Sequence, residues 1–214
     1  MASINNQATL RAAIVDWLNR SDLTTTQIDL FIEMGEARIY EVLRVPPLEA
    51  NESFTVLTSN SSLAIPARFI EAIELKKSET DKDDSIVLSR IDEKAFSNNK
   101  IKNAYIRVGN NLIITDNDGE QEAEGTYVLR YYKADVPIGT IINENEVTDQ
   151  FVISEYELIF YSALAIGSTF LGDHENESHY NEMFFRKVEA LNDKEKRAAL
   201  KGGSFFASVP YPGI

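Results

Sequence analysis

The stretch Ala104-Tyr-Ile-Arg-Val-Gly-Asn-Asn-Leu-Ile-Ile-Thr115 decides how the chain is read. β-Branched and aromatic residues fill both arms, 105–108 and 112–115, and Gly109-Asn-Asn between them supplies the turn. This is a hairpin, so an antiparallel β region sits near the middle of the chain. Outward from it lie further short runs of the same kind: Phe54-Thr-Val-Leu, Ile73-Glu-Leu-Lys, Ser85-Ile-Val-Leu and Thr126-Tyr-Val-Leu-Arg-Tyr-Tyr. Ser59-Asn-Ser-Ser, Asp81-Lys-Asp-Asp and Asp116-Asn-Asp-Gly punctuate them as turns.

Both ends of the chain change to helical period. Ile4, Leu10, Ile14, Trp17 and Leu18 recur at helical spacing, with Asn5 or Asn6 placed to cap. Ser21-Asp22 interrupts the run, and Thr24, Thr25 or Thr26 offers a second N-cap with Asp29 in the first turn. That second helix carries Ile28, Phe31, Ile32, Ala37, Ile39 and Leu43 until Pro46-Pro47 stops it. Towards the C-terminus, Thr148 or Asp149 can cap a helix through Leu158, Tyr161, Leu164 and Ala165 to Leu171, and Gly172 suits its C-cap. Glu175 opens a long helix to about Lys201, roughly 40 Å at the standard rise, and Gly202-Gly203 ends it. The expected fold is therefore mainly α with a β insert. An N-terminal helical hairpin and long C-terminal helices form a helical bundle (1–47 and 148–203). The antiparallel β insert and its loop occupy 48–147, and an extended C-terminal tail occupies 204–214.

The 214 residues carry 34 Asp and Glu against 21 Lys and Arg, a formal charge of −13. The acidity is local: no Lys or Arg occurs between Lys133 and Arg186, and that stretch holds ten acids. A positive surface for self-standing nucleic-acid binding is missing. Eleven Phe and nine Tyr argue against a disordered acidic chain. Cysteine is absent, which removes disulfides and thiolate chemistry and fits synthesis in a reducing cytoplasm. The longest apolar stretch, 158–167, is too short to span a bilayer, so no membrane role is expected.

His174 and His179 flank Glu175 and Glu177, but five residues separate the histidines by about 140° on a helix, whereas a helical zinc pair needs four. Asp116-Asn-Asp-Gly-Glu resembles a calcium loop, yet placing Gly119 sixth puts Ile114 first and Gly125 twelfth, and both fail as ligands. Phosphate-binding glycine loops and nucleophile elbows are absent from the sequence. No catalytic residue, cofactor or metal is expected. Lys194, Lys196, Arg197 and Lys201 near the end of the long helix form either a solvated face or a contact for an acidic partner. Phe205, Phe206, Val209, Pro210 and Tyr211 belong to an apolar, Pro-containing tail that either folds back or docks on another chain.

Three stretches resemble the head-to-tail adaptor, or connector, proteins of tailed bacteriophages. Leu10-Arg-Ala-Ala-Ile-Val-Asp-Trp-Leu-Asn-Arg-Ser-Asp-Leu, with Phe31-Ile-Glu-Met-Gly-Glu-Ala-Arg-Ile and Leu43-Arg-Val, is similar to the family's first two helices. Leu63-Ala-Ile-Pro-Ala-Arg-Phe-Ile-Glu-Ala-Ile-Glu-Leu resembles the entry into its β region. Glu157-Leu-Ile-Phe-Tyr-Ser-Ala-Leu-Ala, Phe170-Leu-Gly-Asp and the helix ending at Gly202-Gly203 resemble its C-terminal helical pair. Val45-Pro-Pro-Leu departs from the family's usual wording after the second helix. The resemblance implies a non-enzymatic virion protein at the neck. It would assemble as a homo-oligomeric ring of about twelve copies beneath the portal protein, and join capsid to tail, nozzle or tail-fibre proteins. Double-stranded DNA would pass through its channel without specific binding. It also implies that the tail 204–214 docks on the portal. Glu144, Glu146 and Asp149 then either face the lumen or a neighbouring subunit, or form a solvated face that keeps free copies apart. Two other readings stand beside it: another neck or tail-completion protein, and a small acidic binding module or hydrolase.

Overall fold

A computed structural model describes residues 4, 6–57, 62–78, 85–92, 94–95, 101–115, 124–135, 137 and 155–201. Helix α1 (Gln7–Leu18) starts at a reciprocal cap: Asn6 Oδ1 accepts from the Thr9 amide at 2.9 Å, and Thr9 Oγ1 accepts from the Asn6 amide at 3.2 Å. Helix α2 (Thr25–Val42) repeats the device with Thr24 and Gln27. Asp29 lies past the first turn of α2 and instead receives Arg11 of α1, Nη2 to Oδ2 at 2.7 Å. Helix α3 (Tyr156–Leu171) is apolar nearly all round and therefore sits inside, with Leu158, Ile159, Phe160, Ala163 and Leu164 buried. Gly172 ends it in the left-handed conformation, φ 71°. Helix α4 (His174–Lys201) is the long amphipathic one and buries Tyr180, Phe184, Val188 and Leu191.

Helices α1, α2 and α4 all pack on α3. The approach of α2 is close because Gly35 has no side chain: a Cβ there would lie 3.2 Å from the Ala163 amide nitrogen. Arg38 of α2 lies over the rings of Phe184 and Phe185 of α4, 4.5 and 5.1 Å from their centroids. Burial lowers the Arg38 pKa from its ordinary value, with the Glu41 charge opposing. These helices belong to one compact unit, Met1–Pro46 with Val136–Ile214.

Among its described residues, the second unit, Pro47–Asp135, holds seven strands, preceded by a short 3-10 turn (Pro46–Leu48) that begins one residue before it. These are β1 (Glu49–Val56), β2 (Ser62–Ala64), β3 (Phe69–Ser78), β4 (Ile86–Arg90), β5 (Ala104–Val108), β6 (Asn111–Thr115) and β7 (Gly125–Lys133). They form a single sheet in the order β1-β7-β3-β4-β5-β6-β2. Strand β3 slips register against β7 between Phe69 and Glu71 and again between Ala72 and Glu74, irregularities that bend a sheet. Its two edge strands, β1 and β2, approach one another, so the sheet is barrel-like and nearly closed. Inside lies a core of its own, with Leu63, Leu75, Leu112, Ile114, Tyr127 and Leu129 among its buried members.

This nearly closed sheet overturns the expected reading of a helical bundle with an antiparallel β insert and loop over 48–147. The β unit is a mixed sheet with a separate core, because β4 and β5 run parallel, Ser89 opposite Ala104 and Arg90 opposite Tyr105. Parallel neighbours need a long connection, and thirteen positions of sequence separate the end of β4 from the start of β5. Two parts of it escape a reading of apolar runs. Strand β2 is only three residues long, and β1 opens Glu-Ala-Asn-Glu-Ser with three consecutive exposed positions. The hairpin that anchors the reading is present, with Val108 opposite Asn111 and Gly109 at φ 59° in the turn.

Candidate functional site

The chain's candidate contact groups concentrate in the helical unit. Lys187 of α4 stands between two carboxylates of the α3 entry, 3.1 Å from Glu155 and 2.8 Å from Glu157. Burial alone would pull the Lys187 ammonium down. Hydrogen bonds to Glu157 and Glu155, reinforced by their charges, reverse this and hold its pKa above the ordinary lysine value. Lys194 is exposed and lies 3.9 Å from Glu155, at the limit of an ion pair. Arg186 pairs with Glu182 at 2.6 Å on the exposed face of α4.

These pairs change the meaning of the acidic stretch. Glu155, Glu157 and Glu182 belong to the base-free run of sequence, yet each meets a base of α4 in space. Glu177 accepts from His174, 3.1 Å between Nδ1 and Oε2, and this lowers the Glu177 pKa. Asp173 receives the amide and side chain of Asn176, and its pKa is lowered as well. His179 packs on Tyr180. Among the described residues no group of His, Asp and Glu is arranged to hold a metal ion, and no helix is long and apolar enough to cross a membrane.

Of the other residues singled out from sequence, Arg197 is exposed on α4. Lys196 and Lys201 lie on the same helix, and their side chains fall outside the described residues. Glu144, Glu146, Asp149, Phe205, Phe206, Val209, Pro210 and Tyr211 also lie outside the described residues.

Periodicity placed Trp17 among the apolar residues of α1, but the structure leaves it 40% exposed at the mouth of a cleft between α1 and α3. The cleft encloses about 370 Å³ and is lined in part by Trp17, Tyr156, Phe160 and Tyr161, with Asp16 and Glu157 at its polar side. Trp17 meets Phe160 edge to face, centroids 5.2 Å apart at 80°, and Phe160 meets Tyr161 at 5.6 Å. Burial and the neighbouring Glu157 raise the Tyr161 pKa. The single Trp at a helical apolar position was the available signal, and period alone could not reveal its exposure.

A protein-family model described as SU10 adaptor protein matches the chain over residues 5–203. No curated protein matches it.

Proposed function

Because the chain belongs to the SU10 adaptor protein family, we propose that it is a head-to-tail adaptor that assembles as a ring of about twelve copies beneath the portal. Membership itself supports a structural adaptor of the phage neck, with portal and tail proteins as its partners. The family match is the observation that carries the reading. Its finer parts rest on the sequence and on physical argument.

In this reading the tail 204–214 docks on the portal. It is apolar, carries two prolines and has no charged side chain, so covering it on a partner removes surface that is costly to leave in water. Glu144, Glu146 and Asp149 face the channel, where negative walls let DNA slide without holding it. Lys194 and Arg197 are exposed on α4, and with Lys196 and Lys201 they suit an acidic neighbour.

Mixing the purified chain with purified portal and weighing the complex by light scattering tests this directly. Full-length protein should add a ring's mass to the portal, and a chain truncated after Gly203 should not. Equal binding by the truncated chain would overturn the tail assignment. Binding to tail components but never to portal would make the chain another neck or tail-completion protein.

A further inference from the structure

The cleft between α1 and α3 holds an unusual combination: a wall of four aromatic rings and two carboxylates, open to solvent at Trp17 and Tyr156. Glu157 is already engaged by Lys187 at 2.8 Å. Asp16 is not engaged in this way: it is exposed, and among the described residues no basic side chain pairs with it. Its position is also unfavourable for the helix. Asp16 lies in the last turn of α1, where the aligned peptide dipoles present negative charge and a carboxylate is disfavoured.

We propose that this cleft receives a single arginine side chain presented by a partner protein. The chemistry fits on three counts. A planar guanidinium stacks on aromatic faces and is weakly hydrated, so it loses little on leaving water. The same group donates two parallel hydrogen bonds to a carboxylate, and Asp16 supplies the free one. The cleft, about 370 Å³ and open to solvent on one side, has room for a guanidinium and its aliphatic stem. The α3 entry adds field of the right sign, since Glu155 and Glu157 share Lys187, with Lys194 more distant. The proposal does not depend on ring formation or on the tail, because the isolated full-length chain contains the whole cleft.

Trp17 is the chain's single tryptophan, so its indole N–H gives one cross-peak that reports the cleft. Full-length ¹⁵N-labelled protein is titrated with the acetylated, amidated tripeptide Leu-Arg-Leu and with the same peptide carrying citrulline, the neutral isostere of arginine. The arginine peptide should shift the Trp17 signal saturably at millimolar concentration or below, and citrulline should bind about tenfold more weakly. Asp16→Asn should weaken the arginine peptide about fivefold without lowering the thermal midpoint, since it relieves the helix dipole. Equal binding of the two peptides, undiminished binding to Asp16→Asn, or no saturable shift would each overturn the proposal.

Discussion

Gly35 and Lys187 show how single residues set the helical unit. A methyl group at Gly35 would press on the backbone nitrogen of Ala163, which cannot swing away as a side-chain tip could. Overpacking of this kind costs about 1–3 kcal/mol, against roughly 1 kcal/mol gained in helix propensity. Gly35→Ala should therefore lose about 1 kcal/mol net, read as a lower urea midpoint at unchanged slope. Lys187 works through charge. Replacing it with Met leaves Glu155 and Glu157 facing each other without their shared cation and should cost about 1 kcal/mol at neutral pH. Because its pKa is raised on folding, that contribution is complete below the ordinary lysine value of 10.5 and fades as the pH climbs through the folded value. The urea midpoints of the wild type and Lys187→Met should stay apart up to about pH 10 and converge above it. This cluster leaves no mark on the order of residues, because its acids and its base lie some thirty positions apart and only the α3–α4 packing joins them.

At the scale of elements, legibility followed how local the chemistry is that fixes each one. Both N-terminal caps, the Gly172 stop and the 104–115 hairpin could be read, because each has local chemistry that fixes it. The nearly closed sheet could not. Its pairings join β1 to β7 and β2 to β6 across long stretches of chain, and strand order leaves no local trace. Strand β7 gives the cleanest test of the sheet, since Tyr127, Leu129 and Tyr131 are buried while Thr126 and Arg130 are exposed. Leu129→Ala should cost about 3 kcal/mol through loss of apolar contact and the cavity it leaves. Val128→Thr, on the other face, should change stability by less than about 1 kcal/mol. Equal losses measured by denaturant unfolding would mean that both faces of β7 are covered.

For the whole molecule, the charge of −13 is a weaker guide than its placement. Several acids of the base-free stretch are answered by α4, so the unanswered charge must come from fewer residues than the sequence count implies. Converting Glu144, Glu146 and Asp149 together to Lys should slow genome delivery if they line a channel, and unchanged infectivity would sink that assignment. The near-closure of the sheet has a further consequence if the chain gathers in many copies as proposed. Open sheet edges are templates on which a second chain can add its backbone, the first step towards fibres. Here one edge is three residues long and the other carries Glu49 and Glu52, and each lies close to its counterpart. Crowded copies can then meet through side chains without growing into one another's sheets.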